Sequence, residues 1–84
     1  MYLHIGGEKD IFTDKIIGIF DYFSVGNIDD ILSFKDYIVT DISEGKPKSV
    51  ILTSGMVENE PKVSIYISTV SHATLVKRLN NIVG

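Results

Sequence analysis

The chain has 84 residues, 44% of them hydrophobic and 23% charged, with a net charge of −3 and no cysteine. Such a chain forms one small folded domain over residues 1–84, with neither a disulfide framework nor a thiolate metal site. No apolar run approaches the roughly 20 residues of a membrane helix, and MYLHIGGEKD lacks the basic and apolar regions of a signal peptide, so a cytoplasmic chain is expected.

An extended YLHI opens the chain, and Gly6-Gly7-Glu8-Lys9 predicts a tight turn into a short strand, DIF. Thr13-Asp14-Lys15 is polar and predicts a kink. The run IIGIFDYF (16–23) is apolar on both faces as far as Phe20, which predicts a central strand covered on both sides. Gly18 within it predicts a bulge or a close backbone approach. Ser24 to Asn27 breaks the run. Asn27 suits an N-cap, and Asp29 and Asp30 suit the first turn of a helix over 28–38. A strand follows over 39–43, and Glu44-Gly45-Lys46-Pro47 predicts a turn.

KSVILTS (48–54) predicts a strong strand, and GMVENEP (55–61) a hairpin loop. KVSIYIS (62–68) alternates Val63, Ile65 and Ile67 with Ser64, Tyr66 and Ser68, which predicts a half-buried strand. Ser71 suits the N-cap of a last helix over 72–82, with Leu75, Val76, Leu79, Ile82 and Val83 as its apolar stripe. The order β-β-β-α-β-β-β-α predicts an α+β domain: a mostly antiparallel sheet with two helices.

Catalytic constellations are absent from this pattern. The two histidines, His4 and His72, have no His, Asp or Glu partner at ligand spacing, so both are expected to be structural, and no metal or other cofactor is expected. There is no G-x-S-x-G elbow or phosphate-binding glycine loop, and Gly6-Gly7 lacks dinucleotide spacing. Asp29-Asp30 is explained by the helix dipole. A domain this small leaves little room for a pocket enclosing a small-molecule substrate.

The charge distribution is more informative. Residues 1–45 hold three lysines against nine carboxylates; residues 46–84 hold five cations against Glu58 and Glu60. Lys46 and Lys48 flank Pro47, which stiffens the turn and lowers the entropy lost when two ammonium groups meet phosphates. An ordinary solvated turn has the same composition. The four tyrosines and four phenylalanines exceed what so small a core hides, which favours self-association.

MYLHIGG, TDKIIGIFDYF, GKPKSVILT and SIYISTVSHATLVKRL, in that order over nearly the whole chain, resemble the RemA/RemB-type extracellular-matrix regulators of Gram-positive bacteria, the RemB branch most. The resemblance implies a cytosolic regulator of biofilm-matrix genes that binds double-stranded DNA, assembles into a ring and has a LytTR-like fold. By the same resemblance Lys15, before the central strand, and Lys46 and Lys48, at the turn, correspond to basic residues that contact DNA. Lysine stands where the family uses arginine, Pro47 sits where a basic or polar residue would help, and the 55–61 loop looks longer than in RemB relatives. Lys77 and Arg78 are further candidates, with a solvated helix face as the plainer reading. The acidic N-terminal half and the aromatic surplus suit a second reading, a homo-oligomeric protein-binding adaptor without direct DNA contact.

Overall fold

The computed structural model describes residues 1–25 and 37–83. In chain order it contains β1 (Tyr2–Gly6), β2 (Lys9–Phe12), a 3-10 turn (Thr13–Lys15), β3 (Ile16–Asp21), α1 (Tyr22–Val25), β4 (Tyr37–Asp41), β5 (Ser49–Val57), β6 (Glu60–Ser68) and α2 (His72–Val83). The domain is α+β. The helix expected over 28–38 lies outside the described residues as far as residue 36, and Tyr37 and Ile38 belong to β4.

Two sheets form. The β1–β2 hairpin stands alone, and the larger sheet has the order β3-β5-β6-β4. Its β3–β5 and β5–β6 pairs are antiparallel, whereas β4 runs parallel to β6. Alternation along β5 feeds two cores. Ile51 points to one side, where Leu3, Ile5 and Ile11 of the hairpin and Leu75 of α2 cover it. Val50 and Leu52 point to the other, against Ile65, with Tyr22, Val25, Tyr37 and Val63 around them.

Three expectations are corrected by this arrangement. First, 16–23 is not a central strand: β3 is an edge, ending at Asp21 before one helical turn, with Ile17 58% and Phe20 43% exposed. Apolarity on both faces reports what the side chains prefer, not how many neighbours a strand has. Second, β6 is covered on both faces, with Ile65 and Ser68 fully buried and Tyr66 packed on the hairpin-side core. Serine survives there because its hydroxyl is bonded. Ser68 donates to the Ile5 carbonyl and accepts from the Val70 N–H at 3.0 Å.

Third, 55–61 is not a loop. Gly55, Met56 and Val57 pair with Lys62, Pro61 and Glu60, and only Glu58-Asn59 turns, both with positive φ (53° and 68°). A two-residue turn with both φ positive matches the twist of the strands it joins. Val57 and Glu60 close it as the hydrogen-bonded pair, so the next pair, Met56 with Pro61, needs no N–H from Pro61 towards β5.

Other expectations hold. The first turn is Gly7-Glu8, with Gly6 at φ 129° and Gly7 at φ 54°. Gly18 closes a bulge in which the β3–β5 register slips between Ile16 and Gly18, and a Cβ there would lie 2.7 Å from the Phe20 ring. Ser71 caps α2, its hydroxyl accepting from the Thr74 N–H at 3.2 Å. Leu75 is fully buried, and Leu79 and Ile82 pack against the same core.

Candidate nucleic-acid interface

The segment between β4 and β5 is shaped from its own sequence. The Asp41 carboxylate accepts from the Ser43 N–H at 2.8 Å and the Ser43 hydroxyl at 2.6 Å. These two bonds hold the Asp41 carboxyl below the usual carboxylate range, slightly opposed by desolvation. The Lys46 N–H then donates to the Ser43 carbonyl at 3.0 Å, across Glu44 (φ 54°) and Gly45 (φ 81°). After Pro47 the chain is fastened on both sides: the Lys48 N–H donates to the Ser68 carbonyl at 2.8 Å, and the Lys48 carbonyl accepts from the Tyr22 N–H at 3.0 Å. The backbone under Lys46 and Lys48 is therefore held by three hydrogen bonds, one within the loop to Ser43, one to Ser68 of β6 and one to Tyr22 of α1, while both side chains are exposed.

Carboxylates share this end of the molecule. Glu44 is in the turn, Asp41 ends β4, and Asp21 lies across from Ser49 and accepts from the Ser24 hydroxyl at 2.9 Å. Within the described residues Lys46 and Lys48 still form no ion pair.

Lys15 stands elsewhere. Ile16 pairs with Thr53, whereas Asp21 pairs with Ser49, so Lys15 and Lys48 lie at opposite ends of the β3–β5 pair. At about 3.4 Å per residue that is roughly 20 Å. One chain thus does not bring Lys15 to the Lys46–Lys48 end. Lys77 is exposed on α2. Arg78 is engaged within the fold, where its guanidinium donates to the His4 carbonyl at 3.0 Å and fixes α2 to β1.

Two contacts escaped the sequence reading. His4 has a partner after all, Asp10 at 2.8 Å across the hairpin, both of them exposed. A plain two-residue turn at Gly7-Glu8 would set Asp10 opposite Ile5. The bulge between His4 and Gly6 moves it opposite His4. Lys9 sits 5.2 Å from the centre of the Tyr66 ring. The His4–Asp10 pair is two ligands only, and the described residues contain no group of three that could hold a metal ion. An open groove of about 410 Å³, lined by Ile17, Ser54, Gly55, Glu60, Pro61, Lys62 and Val63, lies at the Lys15 end. No helix among the described residues is long and apolar enough to cross a membrane.

No protein-family model matches the chain. It is 34% identical over 80 residues to extracellular matrix regulatory protein B of Bacillus subtilis (strain 168), a span covering 93% of this chain and 89% of that relative. Identity at that level over nearly the full length of both proteins places the chain in the RemA/RemB-type extracellular matrix regulatory family, with RemB as its nearer branch.

Proposed function

We propose that the chain is a cytoplasmic, non-enzymatic regulator of extracellular-matrix genes that binds double-stranded DNA as a ring-like homo-oligomer. Lys46 and Lys48 contact phosphates in this reading, Lys15 joins them from a neighbouring copy, and Lys77 and Arg78 stand at the margin. The observation that carries it is the pair of exposed ammonium groups, in no ion pair among the described residues, on a turn whose backbone is already fixed by Ser43, Ser68 and Tyr22. Little backbone entropy is left to lose on contact, and point charges of this kind position a protein on a duplex without reading bases. The exposed aromatic residues Tyr2, Phe12, Phe20 and Phe23 support self-association. The carboxylates of Asp21, Asp41 and Glu44 near the same turn favour the second reading, a protein-binding adaptor.

Fluorescence anisotropy with duplex DNA from about 50 to 200 mM salt separates the two. Phosphate contact predicts a log–log slope of about −0.9 per phosphate, so the double variant K46A/K48A loses roughly two units of slope per chain. No binding by the wild-type protein at the lowest salt refutes the DNA reading and leaves the adaptor.

A further inference from the structure

The β3 edge is unusual for an exposed strand. It carries no lysine or proline within Ile16–Asp21, presents Ile17 and Phe20 to solvent, and has no neighbour on its outer side among the described strands. Unprotected edges of this kind invite another strand. The Tyr22 N–H donates to the Lys48 carbonyl, so Tyr22, Phe20 and Gly18 turn their backbone groups towards β5. Ile19 and Asp21 therefore turn theirs outward.

We infer that a second copy of this chain pairs with β3 edge to edge, antiparallel about a two-fold axis at Ile19, and that this contact brings Lys15 of one copy to the Lys46–Lys48 end of the other. A register centred on Ile19 stays within the strand and uses the outward backbone groups of both Ile19 and Asp21. It sets Asp21 opposite Ile17 of the second copy, so Lys15, in the 3-10 turn just before the strand, comes to the diagonal side of Asp21 across the axis, twice per dimer. Diagonal partners across an antiparallel pair are about 7–8 Å apart at Cβ, within reach of a lysine. Opposite charges thus flank an apolar centre at both ends. Lys15 of the second copy then stands two strand spacings, about 10 Å, from Lys48, instead of the roughly 20 Å within one chain.

The other edge does not do this. β3 and β4 run in the same direction, with Asp21 and Asp41 at the same end, so joining β3 of one copy to β4 of the next sets carboxylate beside carboxylate. Pairing β4 with itself leaves Lys15 and Lys48 apart.

The role of the gathered cations rests on the DNA reading; the contact does not, and it is tested without DNA. A mixture of isotopically light and heavy protein is treated with a zero-length carbodiimide and digested, and the cross-links are identified by mass spectrometry. The expected product is a Lys15–Asp21 isopeptide with one light and one heavy partner, because six residues of extended strand keep these side chains apart within a chain. Sedimentation equilibrium at tens of micromolar is expected to give a dimer or a multiple of it. Lys15→Asp should weaken association at least tenfold, and the charge-swapped K15D/D21K should restore it. A monomer, an oligomer without the mixed cross-link, or a swap that fails to restore association while both variants stay folded by circular dichroism overturns the inference. DNA binding that fails while the cross-link forms overturns the DNA reading alone.

Discussion

Gly6 and Gly7 are adjacent, both have positive φ, and they should respond very differently to alanine. At φ 129° Gly6 occupies a region essentially closed to other residues, at a cost of about 1–3 kcal/mol. The added Cβ would also lie 3.1 Å from the Ser68 hydroxyl and 3.4 Å from a Val70 methyl. Ser68 cannot retreat, because its hydroxyl holds the Ile5 carbonyl and the Val70 N–H. Losing part of those two bonds adds about 1 kcal/mol, for a total of about 2–4 kcal/mol. Gly7, at φ 54°, has nothing within 4 Å of its Cβ position, so alanine costs only the left-handed backbone, about 1 kcal/mol. For a domain of this size each kcal/mol lowers Tm by roughly 4–8 °C. Thermal and urea unfolding followed by far-ultraviolet circular dichroism should give Gly6→Ala a Tm loss at least twice that of Gly7→Ala. Equal losses would refute the assignment of Gly6 to a closed backbone region packed on Ser68.

Two further outcomes follow from the packing and the turn. Leu75→Ala should lower stability by about 2–5 kcal/mol, and Leu75→Met by less than about 1.5, read as urea midpoints at constant m; an alanine loss below about 1 kcal/mol would contradict full burial beneath the hairpin. Asp41 is held below the usual carboxylate range by Ser43, so its stabilising contribution is complete above the unfolded-chain value near pH 4 and is lost as pH falls through the lower folded value. The gap between wild-type and Asp41→Asn urea midpoints should therefore narrow on acidification from about pH 6 to pH 2, and a gap that stays constant removes the Ser43 contact as its cause.

Features set by neighbours in sequence were legible. The Gly6–Lys9 turn, the Ser71 cap with its stripe from Leu75, and the bulge at Gly18 each depend on residues within one turn or one strand. Features set by pairing were not. Nothing local in 16–23 tells an edge from a centre, and Glu58-Asn59 turns without the glycine that usually marks such a hairpin. The candidate site divides the same way. The exposed Lys46-Pro47-Lys48 turn could be read from its residues. The placement of Lys15 at the far end of β5, and of Arg78 on the His4 carbonyl, depends on registers spanning tens of residues.

The first and last portions of the chain complete one another. Leu3, Ile5 and Ile11 share their core with Leu75, the Ile5 carbonyl waits for Ser68, and Arg78 closes on His4. During synthesis the opening hairpin therefore leaves the ribosome with its apolar face uncovered. At roughly 5–20 residues per second it stays so for several seconds, until α2 emerges. Removing α2 strips the same core that losing the β1–β2 hairpin would, so loss of either element is expected to unfold the other.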